Sequence, residues 1–159
     1  MNQALQAKLK TLPRTPGVYF HKSASGEVIY VGKAAVLKNR VRQYFQDSRG
    51  RDNKTMALVA EIFDTDWIET ESEVDALFLE SEMIKRYMPR YNVLLRDDKS
   101  QMYVRIDMKS DWPTVSFTRN PADDGADYFG PFYNGFALKK ALRYLRRIFP
   151  YLTHQRRPG

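Results

Sequence analysis

The chain has 159 residues, carries a formal net charge of +7 and contains no cysteine. That length gives one domain, or a compact domain with an appendage, and is enough to bury a core without covalent staples. The missing thiols exclude disulfides, thiolate zinc sites and a cysteine nucleophile; no apolar run approaches a membrane span and no signal-peptide pattern opens the sequence, so a reducing, cytoplasmic setting is expected.

Residues 2–12 carry a stripe of Ala4, Leu5, Leu9 and Leu12 that predicts a short opening helix, which Pro13 and Pro16 end. The β-branched and aromatic runs 18–20 and 28–31 flank Ser23-Ala24-Ser25-Gly26, whose turn chemistry predicts an antiparallel hairpin. With Tyr19 paired to Tyr30, alternation puts Val18, Phe20, Ile29 and Val31 on one face, and Tyr19, His21, Val28 and Tyr30 on the other. The apolar face wants a core, which leaves two phenols on the opposite surface. Gly32 is read as a tight turn leading to Lys33.

Residues 35–45 follow with Leu37, Val41, Tyr44 and Phe45 at helical spacing. Arg40 and Tyr44, four apart, share a helical face, and Lys38 and Arg42 add charge. Phenols and fixed cations in one short segment suit chemistry on a phosphate; a hairpin with surface tyrosines and a solvated basic helix would show the same residues. Charge is segregated. Residues 1–60 hold eleven basic and three acidic side chains, whereas residues 61–75 hold seven acidic and no basic ones. The positive block would steer a nucleic-acid backbone toward the phenols.

Residues 46–53 read as a polar loop. Residues 54–63 read as a helix through Met56, Val59, Ala60 and Phe63, and residues 66–70 as a third strand. Thr70 or Ser72 can cap a helix over 73–87, with acids favourably placed in its first turn. On that helix Ala76, Leu77, Met83, Ile84 and Tyr87 cover one arc with Glu80 inside it, while Asp75, Ser81, Glu82, Lys85 and Arg86 lie on the far side. A carboxylate on an apolar face must be paired, hydrogen-bonded or metal-bound, or else sit at the core's edge. Residues 88–92 break the helix and lead into a loop bearing Arg96, Asp97, Asp98 and Lys99. Residues 101–108 and 114–118 have strand character and are joined by a turn, and residues 128–132 read as an aromatic turn. Residues 136–149 form an amphipathic helix. Leu138, Ala141, Leu142, Leu145, Ile148 and Phe149 face inward, with Lys139, Lys140, Arg143, Arg146 and Arg147 outward.

Gly17-Val18-Tyr19, Tyr30-Val31-Gly32, Lys33, Arg40, Glu80 and Asn92, in that order and spacing, resemble the GIY-YIG nucleases. Residues 16–45 and 76–100 are similar to the N-terminal catalytic domain of the bacterial UvrC type, and the likeness runs on through residues 128–132 and the last helix. The resemblance implies an α/β (α+β) fold. Residues 1–96 would form the nuclease domain, a central three-stranded antiparallel sheet flanked by helices. Residues 97–159 would form an extension of a strand hairpin and a basic amphipathic helix. It further implies Mg²⁺- or Mn²⁺-dependent hydrolysis of a DNA phosphodiester, the 3′-side incision of nucleotide excision repair. Tyr19, Tyr30, Lys33, Arg40, Tyr44, Glu80 and Asn92 would hold the active-site positions, and damaged double-stranded DNA and a UvrB–DNA complex would be partners. Two departures stand out: Phe132-Tyr133-Asn134 where the family has a serine, and Leu152-Thr153-His154 where it has a cysteine. The chain also stops before the family's partner-binding segment, its RNase H-like second nuclease and its helix-hairpin-helix region, so a fragment or an abbreviated homologue is expected.

The expected chemistry is single-metal phosphodiester hydrolysis. Glu80 is the one protein carboxylate on the metal, and Arg40 grips the non-bridging oxygens. Tyr30, ahead of Tyr19, takes the proton from the attacking water with Lys33 lowering the phenol. Tyr44 and Asn92 orient water, phosphate or neighbouring side chains; His21, read as exposed, is a competing base or an incidental strand residue. Lys33, Lys38, Arg40 and Arg42 contact nucleic acid. Competing readings are a non-catalytic basic DNA-binding module, a small RNA- or ribosome-associated protein, and a standalone or homing-type GIY-YIG nuclease.

Overall fold

Asn2 opens α1 (Gln3–Leu9) by accepting the Leu5 N–H at 2.7 Å, and Leu5 and Leu9, four apart, form its buried stripe. The computed structural model describes residues 1–46, 50–95, 101–109 and 111–153. They fall into two compact units, residues 1–96 and 97–159.

In the first unit β1 (Gly17–Lys22) is the centre of an antiparallel sheet, between β2 (Val28–Ala34) and β3 (Asp64–Glu69). Gly26, at φ +85°, supplies the left-handed residue of the β1–β2 turn. Tyr19 pairs with Gly32 and His21 with Tyr30, so the hairpin is displaced by two residues from a Tyr19–Tyr30 pairing. A shift of two preserves side-chain parity, and Tyr19, His21, Tyr30 and Gly32 share a face. Ile29 departs from the expected division. The ladder slips between His21 and Lys22, and Ile29 joins the core cluster containing Tyr19, outside which Val18, Phe20 and Val31 lie.

Neither face of the hairpin is open, contrary to the surface expected for the phenols. Phe20 meets Tyr87 of α4 (Glu73–Tyr87) on one side. On the other, Tyr19 and His21 are buried in a core shared with α1, α2 (Leu37–Gln43) and α3 (Asn53–Glu61). Gly32 lies within β2, where space is what it provides. A Cβ there would collide with the ring and hydroxyl of Tyr19, its cross-strand partner. Gly17 is equally constrained, by the Ile68 carbonyl and Leu37.

Three expected patterns shift. α3 buries Leu58, and its extended C-cap Ile62 is also buried, whereas Met56 and Phe63 are exposed. α4 begins at the Ser72 cap, with Ser81 buried on its inner face rather than outward and Tyr87 partly exposed. Residues 90–95 form a further helix, α5 (Arg90–Leu95), reached through Met88 in the left-handed conformation that ends α4. Glu61 of α3 anchors α5, accepting from the Tyr91 hydroxyl at 2.7 Å and pairing with Arg90. The expected loops at 46–53 and 96–99 lie in part or wholly outside the described residues.

The second unit is a sheet of order β5-β4-β6 and a helix. Its strands are β4 (Met102–Asp107), β5 (Thr114–Thr118) and β6 (Asp127–Phe132), all antiparallel, and the helix is α6 (Gly135–Ile148). The expected hairpin is present as β4–β5. The aromatic segment read as a turn is its third strand, bent at Gly130 (φ +140°) and carrying a cis Gly130–Pro131 bond. α6 buries Leu138, Ala141 and Leu142 but leaves Ile148 and Phe149 exposed. Among the described residues no helix is long and apolar enough to cross a membrane.

Gly32→Ala must push the Tyr19 ring out of its place. The expected loss is about 1–3 kcal/mol of stability in urea unfolding, the usual cost of overpacking, with Tyr19→Phe tolerated far better because it keeps the ring.

Candidate active site

β2 is an edge strand, and its unpaired side carries the polar half of the site. The Asn92 side chain accepts the Val31 N–H and donates to the Val31 carbonyl, both at 2.8 Å, doing for β2 what a fourth strand would do. Two residues on, where the backbone again points outward, the Lys33 N–H reaches the Glu80 carboxylate. Asn92 is buried, and its amide is spent on the strand. The structure therefore places it as a clamp that sets the β2 edge against α5.

Glu80 is half-buried and makes no ion pair among the described residues. Burial pushes its carboxyl up to about 7, with the charges of Lys33 and Arg40 and the Lys33 N–H opposing. The buried-salt-bridge reading of this residue thus finds no support.

The phenols form the other half. The Tyr19 and Tyr44 hydroxyls are hydrogen-bonded at 2.7 Å, and the three rings of Tyr19, Tyr30 and Tyr44 lie 5.7–6.2 Å apart centre to centre. Tyr19 and Tyr44 are buried; Tyr30 is more open. Burial drives the Tyr19 and Tyr30 phenols well above their usual range, their neighbours' charges add to it, and Arg40 pulls the other way. Arg40 itself is exposed and stands 5.5 Å from the centre of the Tyr44 ring. The cation acting on the phenols is therefore Arg40, whereas Lys33 acts on Glu80.

Several supporting groups escape a sequence reading. His21 lies buried among the phenols, 4.6 Å from the Tyr44 ring centre, with Nδ1 at 2.9 Å from the Thr65 hydroxyl. Burial, reinforced by Arg40, lowers its imidazole to about 3, which keeps it neutral and corrects its reading as an exposed base. Arg51 donates to the carbonyls of Tyr44 (2.7 Å), Gln46 (3.0 Å) and Gln43, closing the C-terminal end of α2. Lys38 and Arg42 are not gathered with the phenols. On α2 they lie about 160° round the helix from Arg40.

The sheet, its two glycines against tyrosine and leucine, and the tyrosines, arginine and glutamate around β2 define a GIY-YIG domain. A family model described as the UvrC-like GIY-YIG domain matches residues 15–93. UvrABC system protein C of Caldanaerobacter subterraneus subsp. tengcongensis is 47% identical over 149 residues, covering 94% of this chain and 24% of that protein. The Clostridium perfringens protein of the same name is 50% identical over 148 residues, 93% of this chain and 24% of its own length. The crystal structure of the GIY-YIG N-terminal endonuclease domain of UvrC from Thermotoga maritima, bound to its catalytic magnesium, superposes with a TM-score of 0.51 at 35% identity. It covers 58% of this chain and 99% of that domain. The chain belongs to the UvrC-like GIY-YIG family. It spans about a quarter of the length of the curated relatives it matches.

Glu80 carries its proton in the native state up to about pH 7 but only to about 4.5 when unfolded, so the native carboxylate is disfavoured as pH rises across that window. In metal-free urea unfolding, Glu80→Gln is expected to gain stability relative to the parent between pH 4.5 and 7 and to hold a constant lead above it. A lead that does not change with pH would show that burial does not govern the carboxyl.

Proposed function

We propose that the first unit hydrolyses a DNA phosphodiester with one divalent cation, Mg²⁺ or Mn²⁺, held by Glu80. The supporting observation is Glu80 itself, a half-buried carboxylate without an ion pair among the described residues, beside the phenols and Arg40, with its proton balanced near neutral pH. The donor set fits a hard cation that keeps most of its own water: one carboxylate, and no group of three or more His, Cys, Asp or Glu side chains among the described residues. When bound, the cation supplies Lewis-acid polarisation of the phosphate, stabilises the leaving 3′-oxygen and adds positive charge beside the phenols.

The protein's own groups do the rest. Arg40, exposed at the rim, holds the non-bridging oxygens as charge accumulates on them. Tyr30, the most open of the three phenols, orients the attacking water. Burial keeps its ring protonated in the free protein, so it first gives its own proton to solvent, an ionisation that Arg40 and a bound cation would favour. The resulting phenolate then takes the water's proton. Tyr19 and Tyr44, locked to each other, fix the position of Tyr30 and of Arg40. Lys33 and Asn92 set the edge from which Glu80 is held. Solved variants of the Thermotoga domain include three tyrosine-to-phenylalanine changes and one asparagine-to-alanine change, the residue types assembled here. Lys33, Lys38, Arg40 and Arg42 supply contacts to the DNA backbone.

In the full-length context the proposal is the 3′-side incision of nucleotide excision repair, on damaged duplex DNA presented with UvrB. The support is the relatives' name and the domain's place in the solved Thermotoga protein.

Glu80→Ala is expected to lower nicking of bubble-containing DNA in Mg²⁺ or Mn²⁺ by about 10³-fold or more, the effect of losing several kcal/mol of charge stabilisation. Salt-sensitive DNA binding should persist. Nicking that survives the substitution would remove Glu80 from the metal site, and a parent chain that binds but never nicks would leave a non-catalytic module.

A further inference from the structure

α2 has cations on two flanks, and only one flank faces the phenols. Leu37 and Val41 point into the core; Arg40 lies to one side of that stripe, and Lys38 and Arg42 to the other. On that second side a groove of about 470 Å³ runs between α1 and α2. Gln6 and Lys10 line it from the α1 side, and Lys38, Arg42, Phe45 and Gln46 from the α2 side. No carboxylate lines it. Two other cations of the basic N-terminal block are neutralised, Lys8 by Asp64 and Asp66 and Lys22 by Asp66. Lys10, Lys38 and Arg42 have no carboxylate partner among the described residues, and Lys10 and Arg42 are exposed. Three like charges around one groove repel one another until an anion enters, and Phe45 offers an apolar wall beside them.

Resting on the nuclease reading above, we propose that this groove is a second backbone subsite for the DNA strand, with Lys10 as an added phosphate contact and Phe45 packed against the adjoining sugar or base. A helix with its side chains is about 10–12 Å across. A strand carries one phosphate per roughly 3.4 Å of duplex axis. A strand gripped by Arg40 on one flank of α2 and by the groove on the other therefore bridges about three nucleotides over the helix. The groove holds the strand's flank while Arg40 holds the phosphate to be cut, which fixes the direction in which the strand crosses the site.

The test is equilibrium binding of a fluorescent bubble duplex in EDTA, across a series of salt concentrations, for the parent, Lys10→Gln/Arg42→Gln and Lys10→Arg/Arg42→Lys. Two lost phosphate contacts should reduce the slope of log affinity against log salt by about two and weaken binding about tenfold or more at moderate salt. The charge-keeping pair should bind like the parent. Duplexes shortened to within two nucleotides of the cut, on one side and then the other, should lose affinity for the parent on one side only, and the double glutamine variant should be indifferent to that shortening. An unchanged slope, or a glutamine variant that still distinguishes long from short duplexes as the parent does, would overturn the subsite. Loss of slope in the glutamine variant, with a parent that never nicks in Mg²⁺ or Mn²⁺, would uphold the groove and sink the catalytic reading instead.

Discussion

The unpaired edge of β2 is the constraint on which the site depends. An edge strand leaves backbone N–H and C=O groups without partners, and natural proteins cover or blunt such edges. Here side chains complete the ladder: Asn92 takes both polar groups of Val31, and Glu80 accepts the Lys33 N–H. A helix-borne carboxylate brought in to satisfy a strand edge must leave water, and desolvation lifts its proton affinity to about neutral. Because a cation would need the deprotonated form, the cation binding proposed for Glu80 would be coupled at neutral pH to release of a proton from the same group. The edge thus sets where the acid sits and how it titrates.

The second face of the same strand pair is organised by the contact between Tyr19 and Gly32. The bare Cα of Gly32 lets the ring of Tyr19 lie across the neighbouring strand, and the hydroxyl then meets Tyr44 at the end of α2. Arg51 closes that helix end by donating to three carbonyls. Arg40 projects from the same short helix, so its position follows from a chain of contacts that begins with a missing side chain. His21 fills the remaining space as a neutral ring. Its Nε2 has no partner among the described residues, which favours an uncharged imidazole where a cation would be isolated.

Much of this arrangement is written in local patterns. Strand alternation identifies which residues share a face even when the register is wrong by two, because parity survives an even shift. It does not say what will cover that face, and so His21 and the phenols read as surface. On α4 the periodic arc includes Glu80, but the buried side is turned toward Leu77 and Ser81 and away from Tyr87. Around α3 the local pattern points to Met56 and Phe63, but the residues that tertiary contact buries are Leu58 and the C-cap Ile62. A glycine between Tyr30-Val31 and Lys33 suggests a turn on local chemistry. Its role as a cross-strand receptacle is visible only when Tyr19 is opposite it. Short aromatic segments such as 128–132 are ambiguous for the same reason: a Gly-Pro pair signals a turn, yet here a strand bends and continues.

The segregation of charge along the chain acquires a spatial meaning in the folded unit. Asp64 and Asp66, on β3, engage Lys8 and Lys22, and Glu61 engages Arg90. Pairs this exposed add little to stability. Their larger effect is on the field, because they neutralise cations that have no part in the site. In the first unit α2 keeps cations without an ion pair among the described residues on both flanks, with Arg40 toward the phenols and Lys38 and Arg42, joined by Lys10, on the opposite side. A polyanion approaching the first unit meets uncompensated charge on α2, and that helix is tied through Tyr44 and Tyr19 to the strands that hold Glu80. On the nuclease reading proposed above, electrostatic attraction and the catalytic geometry converge on this seven-residue element.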